Sequence, residues 1–182
     1  MNKKIAIIQT SPQRSASTLL MNAILGFILP NQFAYYVDAP GKKTQLSRAK
    51  SAMENPFIIK SHAWSVQNKW QRYLKDYECY FIASERRELG LNVDITNDRT
   101  LVIPFEMLLE TPSYSLDEIV DQLYKKFLNF LPKQLTLDKK DCVKRLRGMN
   151  DMTRKMSNKS FSDYDLFYGI HGGHRNRGGK NF

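Results

Sequence analysis

Residues 4–20 of this chain read KIAIIQTSPQRSASTLL, and this stretch decides the fold. Ile5 to Ile8 form a short, unbroken apolar run, which predicts a buried strand. Thr10 to Ser17 are small, polar and turn-prone, and Thr18 to Leu29 then predict an apolar helix. The order strand, loop, helix is typical of the start of a nucleotide-binding α/β domain.

The loop in this stretch offers a site for an anion. Backbone N–H groups and the positive end of a helix dipole converge there, and Arg14 adds a fixed positive charge. The loop also carries four hydroxyl groups, on Ser11, Ser15, Ser17 and Thr18. It is not a Walker A loop, because it has neither the two glycines nor the lysine of that motif. An ordinary strand-to-helix turn capped by serines is the alternative.

Length and composition indicate one globular domain, residues 1–182, with 42% hydrophobic and 25% charged residues. The formal net charge of +10 indicates a polyanionic partner. A nucleotide, an acidic glycan, a nucleic acid or an anionic membrane surface would each satisfy that charge, which does not choose among them.

The sequence predicts neither a membrane span nor a disulfide framework. No apolar run approaches the roughly 20 residues that cross a bilayer, and the first residues lack signal-peptide anatomy. The two cysteines, Cys79 and Cys142, are too few for a framework of disulfides. We therefore expect a protein of the cytoplasm.

Further strands and helices alternate along the chain. Apolar runs predict strands at residues 57–59, 78–83 and 100–105, and helical spacing predicts helices at residues 65–75, 116–131 and 137–156. Ser115 and Glu118 predict a capping box, and Asp138 predicts a cap for the last helix. The predicted fold is α/β and three-layered, with a central, mostly parallel sheet covered on both faces. Ligands of such sheets bind beyond the carboxyl ends of the strands.

Residues 38–50 are polar, contain Pro40 and Gly41, and predict a surface loop. Their length and their position after the nucleotide loop place them near an acceptor substrate. A merely solvated loop is the alternative.

The segment TSPQRSASTLL resembles the loop that holds the 5'-phosphosulfate in sulfotransferases dependent on 3'-phosphoadenosine 5'-phosphosulfate (PAPS), typically P[RK]SG[ST][ST]. The match places Arg14 at the basic residue of that pattern. Gln13 is inserted after Pro12, and Ala16 stands where glycine is usual. The resemblance implies a P-loop nucleotide-hydrolase-like sulfotransferase fold, PAPS as donor and the 3',5'-bisphosphate PAP as product. It implies cofactor contacts from Gln13, Arg14, Ser15, Ala16, Ser17 and Thr18.

The segment IIKSHAW, residues 58–64, resembles the KTH or KSH that supplies the catalytic base in the same family. Taken alone, His62 just past a strand could accept a proton from a hydroxyl, or could be a capping or surface residue. The resemblance implies that His62 is the base, and that Arg14 and Lys60 offset charge in the transition state.

Two later segments resemble weaker motifs of the family. FIASERR places Arg86 or Arg87 where an arginine holds the 3'-phosphate, although the serine usual eight residues later is missing. LVIPFE places Phe105 where an aromatic residue packs near the adenine. Two exposed arginines and a core phenylalanine are the alternatives.

The tail, residues 169–182, contains IHGGHRNRGG and resembles the basic glycine segment that closes over the cofactor. It implies a contact from Arg175 or Arg177 to the 3'-phosphate. His171 and His174 lack a cysteine or carboxylate cluster and do not predict a metal site. A generally basic tail is the alternative.

These observations favour a sulfotransferase that moves a sulfuryl group from PAPS to a hydroxyl or amine acceptor. One alternative is an ATP-dependent, P-loop-like kinase, although the Walker lysine is missing. Another is a basic protein that binds RNA or an acidic glycan on a degenerate nucleotide fold. Nucleic acid is the less favoured partner, because Tyr35, Tyr36 and Trp64 are not spaced as a stacking platform.

Overall fold

The computed structural model describes residues 3–63, 65, 67–93 and 98–155, and for residues 150–155 it describes the backbone alone. Within these residues the chain forms two units. The first draws on Met1–Ser17 and Tyr35–Glu106, and the second on Thr18–Ala34 and Met107–Phe182. That residues 1–182 form one domain stays a prediction, and the tail at residues 169–182 lies outside the described residues.

The first unit is built on a four-stranded sheet. Its strands are β1 (Lys4–Thr10), β2 (Phe57–Ser61), β3 (Tyr77–Glu85) and β4 (Thr100–Pro104). Their order is β2-β1-β3-β4, and every pair is parallel. The prediction of an α/β protein with a parallel sheet is confirmed, whereas the P-loop-like sulfotransferase fold stays a prediction.

The apolar runs form these strands because consecutive residues are buried. Ile5 to Ile8 of β1 are at most 2% exposed, as expected for a parallel strand that lies inside a sheet. Ile8 pairs in register with Ile59 of β2 and with Phe81 of β3. The centre of the sheet is therefore a continuous apolar layer.

Two helices pack against this sheet within the first unit. Helix α2 (Lys43–Ala52) contacts β2, and helix α3 (Gln67–Tyr73) contacts β3. The prediction of a surface loop at residues 38–50 is wrong from Lys43 onward. Only Leu46 and Ala49 of α2 are buried, so the apolar stripe is too narrow to stand out from its polar neighbours.

Helix α3 carries the fully buried Trp70, within the helix predicted at residues 65–75. Two short 3₁₀ helices, Arg87–Leu89 and Phe105–Leu108, follow β3 and β4. Each of these turns starts within two residues of the end of its strand. They therefore keep the residues that follow β3 and β4 at the carboxyl edge of the sheet.

The second unit contains α1 (Ser17–Ile28, from Thr18 on), α4 (Leu116–Phe130) and α5 (Lys139–Lys155). The predicted capping box is confirmed: Ser115 Oγ accepts from the Glu118 N–H, and the Ser115 N–H donates to Glu118 Oε2 at 2.6 Å. The predicted cap at Asp138 is also confirmed, because its Oδ1 accepts from the Asp141 N–H at 3.0 Å. Both helices thus begin where the sequence predicts, within two residues.

Helix α5 packs its inward face closely on α1. A Cβ added at Gly26 would lie 2.7 Å from Cα of Cys142, so only glycine allows this approach. Leu146 is buried as predicted, but Val143 is only half-buried. The buried face instead includes Arg145, whose guanidinium donates to three oxygens at 2.8–2.9 Å, those of the Asn22 side chain and of the Pro30 and Gln32 backbone.

Within the described part of the chain, no helix combines the length and apolar composition that a bilayer crossing requires. Cys79 and Cys142 are free and buried. Burial raises the pKa of the Cys79 thiol to about 11, which makes this thiol a poor nucleophile at neutral pH.

Candidate functional site

The topology of the sheet creates a crevice at its carboxyl edge. From β1 the chain continues to β2 on one side, and from β3 it continues to β4 on the other. The direction of the connections therefore reverses between β1 and β3, the usual place for a ligand in a parallel α/β sheet. The loop of residues 11–16 leaves β1 at this point.

The backbone φ angles of this loop alternate in sign from Arg14 to Ala16. Arg14 and Ala16 have φ of 67° and 58°, a region that costs an L-residue roughly 1–2 kcal/mol, whereas Ser15 between them does not. Ala16 occupies the position where the sulfotransferase pattern has glycine, and its positive φ gives the physical reason for that preference. Alternation of this kind turns successive N–H groups toward one concavity, which suits an anion.

Three N–H groups of the loop can donate to a ligand. Those of Gln13, Arg14 and Ala16 donate to no carbonyl among the described residues. Gln13 and Arg14 are exposed, and Ala16 is 9% exposed. An anion that binds at the loop would accept from these groups.

Buried serines fix the loop to the neighbouring strand. The Ser84 N–H and hydroxyl donate to Ser11 Oγ at 2.8 and 3.0 Å. Ser15 Oγ lies 3.0 Å from Ser84 Oγ and donates to the Pro12 carbonyl at 2.7 Å. We expected the Ser11 and Ser15 hydroxyls to donate to an anion, but both form hydrogen bonds with Ser84 or the loop backbone and so hold the loop in place.

Ser84 is a site residue that the sequence analysis did not single out. It is fully buried, and it lies at the carboxyl end of β3, directly across from the loop. In the sequence, Ser84 is recognisable only as a small hydroxyl residue that follows the apolar run Phe81 to Ala83. This run forms β3, which pairs with β1, the strand that leads into the loop. Without the strand order, that signal could not be connected to Ser11 and Ser15.

His62 follows β2 at the same edge of the sheet. Its Nδ1 lies 2.7 Å from the backbone carbonyl oxygen of Ser11, the first residue of the loop. A carbonyl only accepts, so Nδ1 carries the proton and Nε2 is the acceptor nitrogen of the neutral ring. The structure thus places His62 beside the loop, and its role as a base stays a prediction.

Tyr36 stands next to this histidine. The segment Tyr35 to Val37 pairs with the outer edge of β2, since the Lys60 N–H donates to the Tyr35 carbonyl and the Val37 N–H to the Lys60 carbonyl. The centroid of the Tyr36 ring lies 5.6 Å from that of His62, and Tyr36 is 44% exposed. Partial burial, and secondarily Asp38, raise the pKa of the Tyr36 phenol, so it stays protonated at neutral pH.

Lys60 lies inside β2, in register with Gln9 of β1, and is 4% exposed. Burial lowers the pKa of its ammonium group to about 8. The group is therefore still mostly charged at pH 7, close to its titration. A nearby anion would favour the charged form, which suits the predicted part of Lys60 in offsetting charge.

Arg86 and Phe105, two predicted cofactor residues, come together after β3 and β4. The Arg86 guanidinium lies over the Phe105 ring, 4.1 Å from its centroid, and forms an ion pair with Glu88. Arg87, the alternative arginine, is largely exposed and donates to Glu85 at 2.7 Å. Of the two arginines, Arg86 is therefore the one that lies beside Phe105, and its contact with a 3'-phosphate stays a prediction.

The remaining predicted residues are distributed as follows. Ser17, 6% exposed, is the first residue of α1, and Thr18 follows it as the first residue of the second unit. Arg175 and Arg177 lie outside the described residues. The first unit thus brings together the loop, His62, Lys60, Arg86 and Phe105 on one sheet.

No protein-family model, curated protein or solved structure matches this chain. Its function therefore has to be argued from the geometry at the carboxyl edge of the sheet.

Proposed function

We propose that this protein transfers a sulfuryl group from PAPS to a hydroxyl or amine acceptor. One observation carries the proposal: a loop whose φ angles alternate in sign lies at the switch point of a parallel sheet, and the imidazole of His62 is hydrogen-bonded to the carbonyl of its first residue. An anion site with a proton acceptor beside it meets the two requirements of this transfer.

The residues of the loop fit a phosphosulfate. Backbone strain at Arg14 and Ala16 is of the kind that persists at functional sites, and the N–H groups of both residues donate to no carbonyl among the described residues. The exposed Arg14 adds a charge that is fixed at all physiological pH values. PAPS would supply the sulfuryl group, and the loop amides with Arg14 would hold its phosphosulfate end.

The chain's own residues then account for the proton and the charge. The acceptor hydroxyl gives its proton to Nε2 of His62, and its oxygen bonds to sulfur as the bond from sulfur to the bridging phosphate oxygen breaks. The leaving bisphosphate keeps that electron pair. Arg14 and the loop amides offset the charge that grows on the bridging oxygen, and one well-placed donor of this kind lowers the barrier by about 3 kcal/mol.

Arg86 and Phe105 support a nucleotide that carries a 3'-phosphate. A ring such as Phe105 suits an adenine, and the adjacent Arg86 is a cation that can pair with a phosphate through two N–H groups. Glu88 now takes that place on Arg86. A phosphate that carries more charge than a carboxylate would displace it.

Ser84 argues for sulfuryl transfer over magnesium-dependent phosphoryl transfer. P-loop enzymes that use ATP hold the metal ion with a loop hydroxyl and a carboxylate from a neighbouring strand. Here the residue that meets the loop from β3 is Ser84, and the next residue, Glu85, pairs with Arg87. Sulfuryl transfer needs no carboxylate at this position.

Thermal unfolding with three ligands tests the proposal. We expect PAP to raise the melting temperature, since a ligand at 100 times its Kd adds about 2.7 kcal/mol to the free energy of unfolding. ATP with Mg²⁺ should have a smaller effect, and heparin should act without preference for the loop. Arg14→Gln should abolish the shift by PAP, and the control Arg48→Gln on the exposed part of α2 should keep it. Stabilisation by ATP with Mg²⁺ but not by PAP would refute the proposal.

A further inference from the structure

The turn before α2 is held in place beside His62. Ser61, the residue before His62, donates its hydroxyl to the Asp38 carbonyl at 3.3 Å. Two hydrogen bonds join Asp38 to Gln45 of α2. The Asp38 N–H donates to Gln45 Oε1 at 2.9 Å, and Gln45 Nε2 donates to Asp38 Oδ2 at 2.8 Å. The Lys42 N–H closes the turn on the Ala39 carbonyl at 3.0 Å. The turn is therefore a preformed surface next to the histidine.

Two exposed tyrosines flank this turn. Tyr36 precedes it and lies beside the ring of His62, as described above. Tyr73, 41% exposed, places its hydroxyl 3.5 Å from where a Cβ of Gly41 would stand. Exposed tyrosine rings on a fixed backbone provide apolar contact area at low cost in conformational entropy. The surface thus suits a ring-shaped partner.

The turn and the start of α2 carry more positive than negative charge. No acidic residue occurs between Asp38 and Glu54. Lys42, Lys43 and Arg48 are exposed, and none of them forms an ion pair with the described residues. In the second unit, Lys139 pairs with Asp121 and Arg147 with Asp117, at 2.7 and 2.8 Å, whereas the exposed Lys140 and Lys144 form no ion pair with the described residues. Exposed lysines without such a pair thus occur in both units, and what distinguishes Lys42 and Lys43 is that their turn is held beside His62.

We propose that residues 36–43, the acceptor turn, bind the acceptor, and that this acceptor is a ring bearing both the reacting hydroxyl and a negatively charged group. The inference rests on the function proposed above. The ring packs on Tyr36, the hydroxyl faces Nε2 of His62, and a carboxylate or sulfate on the ring pairs with Lys42 and Lys43. A phenolic acid and an acidic sugar share this chemistry.

The electrostatics of the transfer explain why such cations are needed. The donor brings several negative charges to the loop, and an anionic acceptor would be repelled as it approaches. Lys42 and Lys43 offset this repulsion only for an acceptor in contact with them, because the screening length is about 8 Å at physiological ionic strength. A neutral acceptor would gain nothing from them.

The test compares acceptors that differ in charge alone. We expect kcat/KM for 4-hydroxybenzoate to exceed that for 4-hydroxybenzamide roughly tenfold, the contribution of two surface ion pairs. A glucuronic-acid hexasaccharide and maltohexaose form the second pair, which tells an acidic sugar from a phenolic acid. Lys42→Gln/Lys43→Gln should remove the preference by raising KM for the charged acceptors. Lys140→Gln/Lys144→Gln, an equal change of charge in the second unit, should keep it.

Failure of this inference can be told from failure of the proposed function. If PAP stabilises the protein and sulfated product forms equally from charged and neutral acceptors, with no effect of the Lys42/Lys43 variant, the acceptor turn has no such role and the proposed function stands. If PAP does not bind and no product forms, the proposed function is wrong and the acceptor role falls with it. A nuclear magnetic resonance titration with 4-hydroxybenzoate alone then shows whether the turn still binds anions.

Discussion

Nδ1–H of His62 donates a hydrogen bond to the backbone carbonyl of Ser11, 2.7 Å away, and so connects the residue after β2 to the first residue of the loop after β1. This one bond orients the imidazole beside the loop. It also selects the neutral tautomer in which Nε2 can accept a proton. The position and the tautomer of the neutral imidazole are thus set by the backbone of the anion loop itself.

His62→Ala should abolish sulfuryl transfer, because a positioned general base contributes typically 10² to 10⁴ in rate. His62→Asn is the sharper variant, since the amide N–H of asparagine can still donate to the Ser11 carbonyl but cannot act as a base. We expect both variants to bind PAP within about twofold of the wild type by calorimetry, and the asparagine variant to keep the thermal stability. Wild-type turnover by His62→Asn would exclude His62 from the chemistry.

Ala16→Gly should not destabilise the protein, although glycine normally does. The φ of 58° at Ala16 costs roughly 1–2 kcal/mol, and the flexibility of glycine in the unfolded chain costs about 0.5–1 kcal/mol. We therefore expect the free energy of unfolding to stay equal or to rise by up to about 1.5 kcal/mol. Ala23→Gly, in the buried interior of α1, should lower it by about 1 kcal/mol.

Chemical denaturation of the two alanine variants gives this comparison directly. Equal destabilisation by both changes would mean that the loop backbone carries no strain at Ala16. Affinity for PAP is the second readout, and Ala16→Gly should preserve it, because the N–H group keeps its direction.

The sequence predicted the sheet well, because the strands are short apolar runs bounded by turns. Ile5 to Ile8 form β1, and the turn-prone residues after them form the loop, so the position of Arg14 could be predicted. His62 could be placed at the same edge, since the carboxyl ends of parallel strands meet there. Those conclusions need only local pattern and one rule of topology.

Tertiary contacts decide what the sequence did not predict. Helix α2 buries only Leu46 and Ala49, so its helical period is hidden among polar residues. In the sequence, Arg145 is one more cation of a basic helix. In the structure, its buried guanidinium donates hydrogen bonds to oxygens of residues that lie more than 100 positions earlier in the chain. Ser84 acquires its role only when β3 lies next to β1. Such residues can be recognised from strand order and helix packing, not from spacing along the chain.

Lys60 should make stability depend on pH in the alkaline range. Its pKa is about 8 when folded, against 10.5 for an ordinary lysine, so between these values the unfolded chain binds a proton that the folded protein lacks. Stability therefore rises with pH across this window, and the cost of burying the charge is present in full below it. We expect the stability advantage of Lys60→Met over the wild type to shrink by about 2 kcal/mol from pH 7.5 to 9.5.

The Lys60 ammonium group can also show whether the ligand's anionic end lies close to it. If the 5'-phosphate of the nucleotide lies near Lys60, binding of PAP at pH 8.5 takes up a proton, because the anion raises the pKa of the ammonium group. Calorimetry in buffers of different ionisation enthalpy measures this uptake, which Lys60→Met should remove. Binding without proton uptake in the wild type would place Lys60 away from the anion.

Arg86 should recognise the 3'-phosphate, and Glu88 should compete with it. PAP and adenosine 5'-monophosphate differ only in that phosphate. Arg86→Gln should therefore weaken PAP about 10- to 100-fold, as expected for a charge-assisted pair, and leave the monophosphate nearly unchanged. Arg87→Gln, the matched control, should affect neither nucleotide, since its side chain is 80% exposed and paired with Glu85.

Glu88→Gln should act in the opposite direction. The change frees the Arg86 guanidinium from its ion pair, while the stacking of Arg86 on Phe105 remains. We expect PAP to bind several-fold tighter, with little change for the monophosphate, because the phosphate no longer has to displace a carboxylate. Equal effects of Arg86→Gln on both nucleotides would instead assign this arginine to the base or the 5'-phosphate, and the preference for PAP would then need another source.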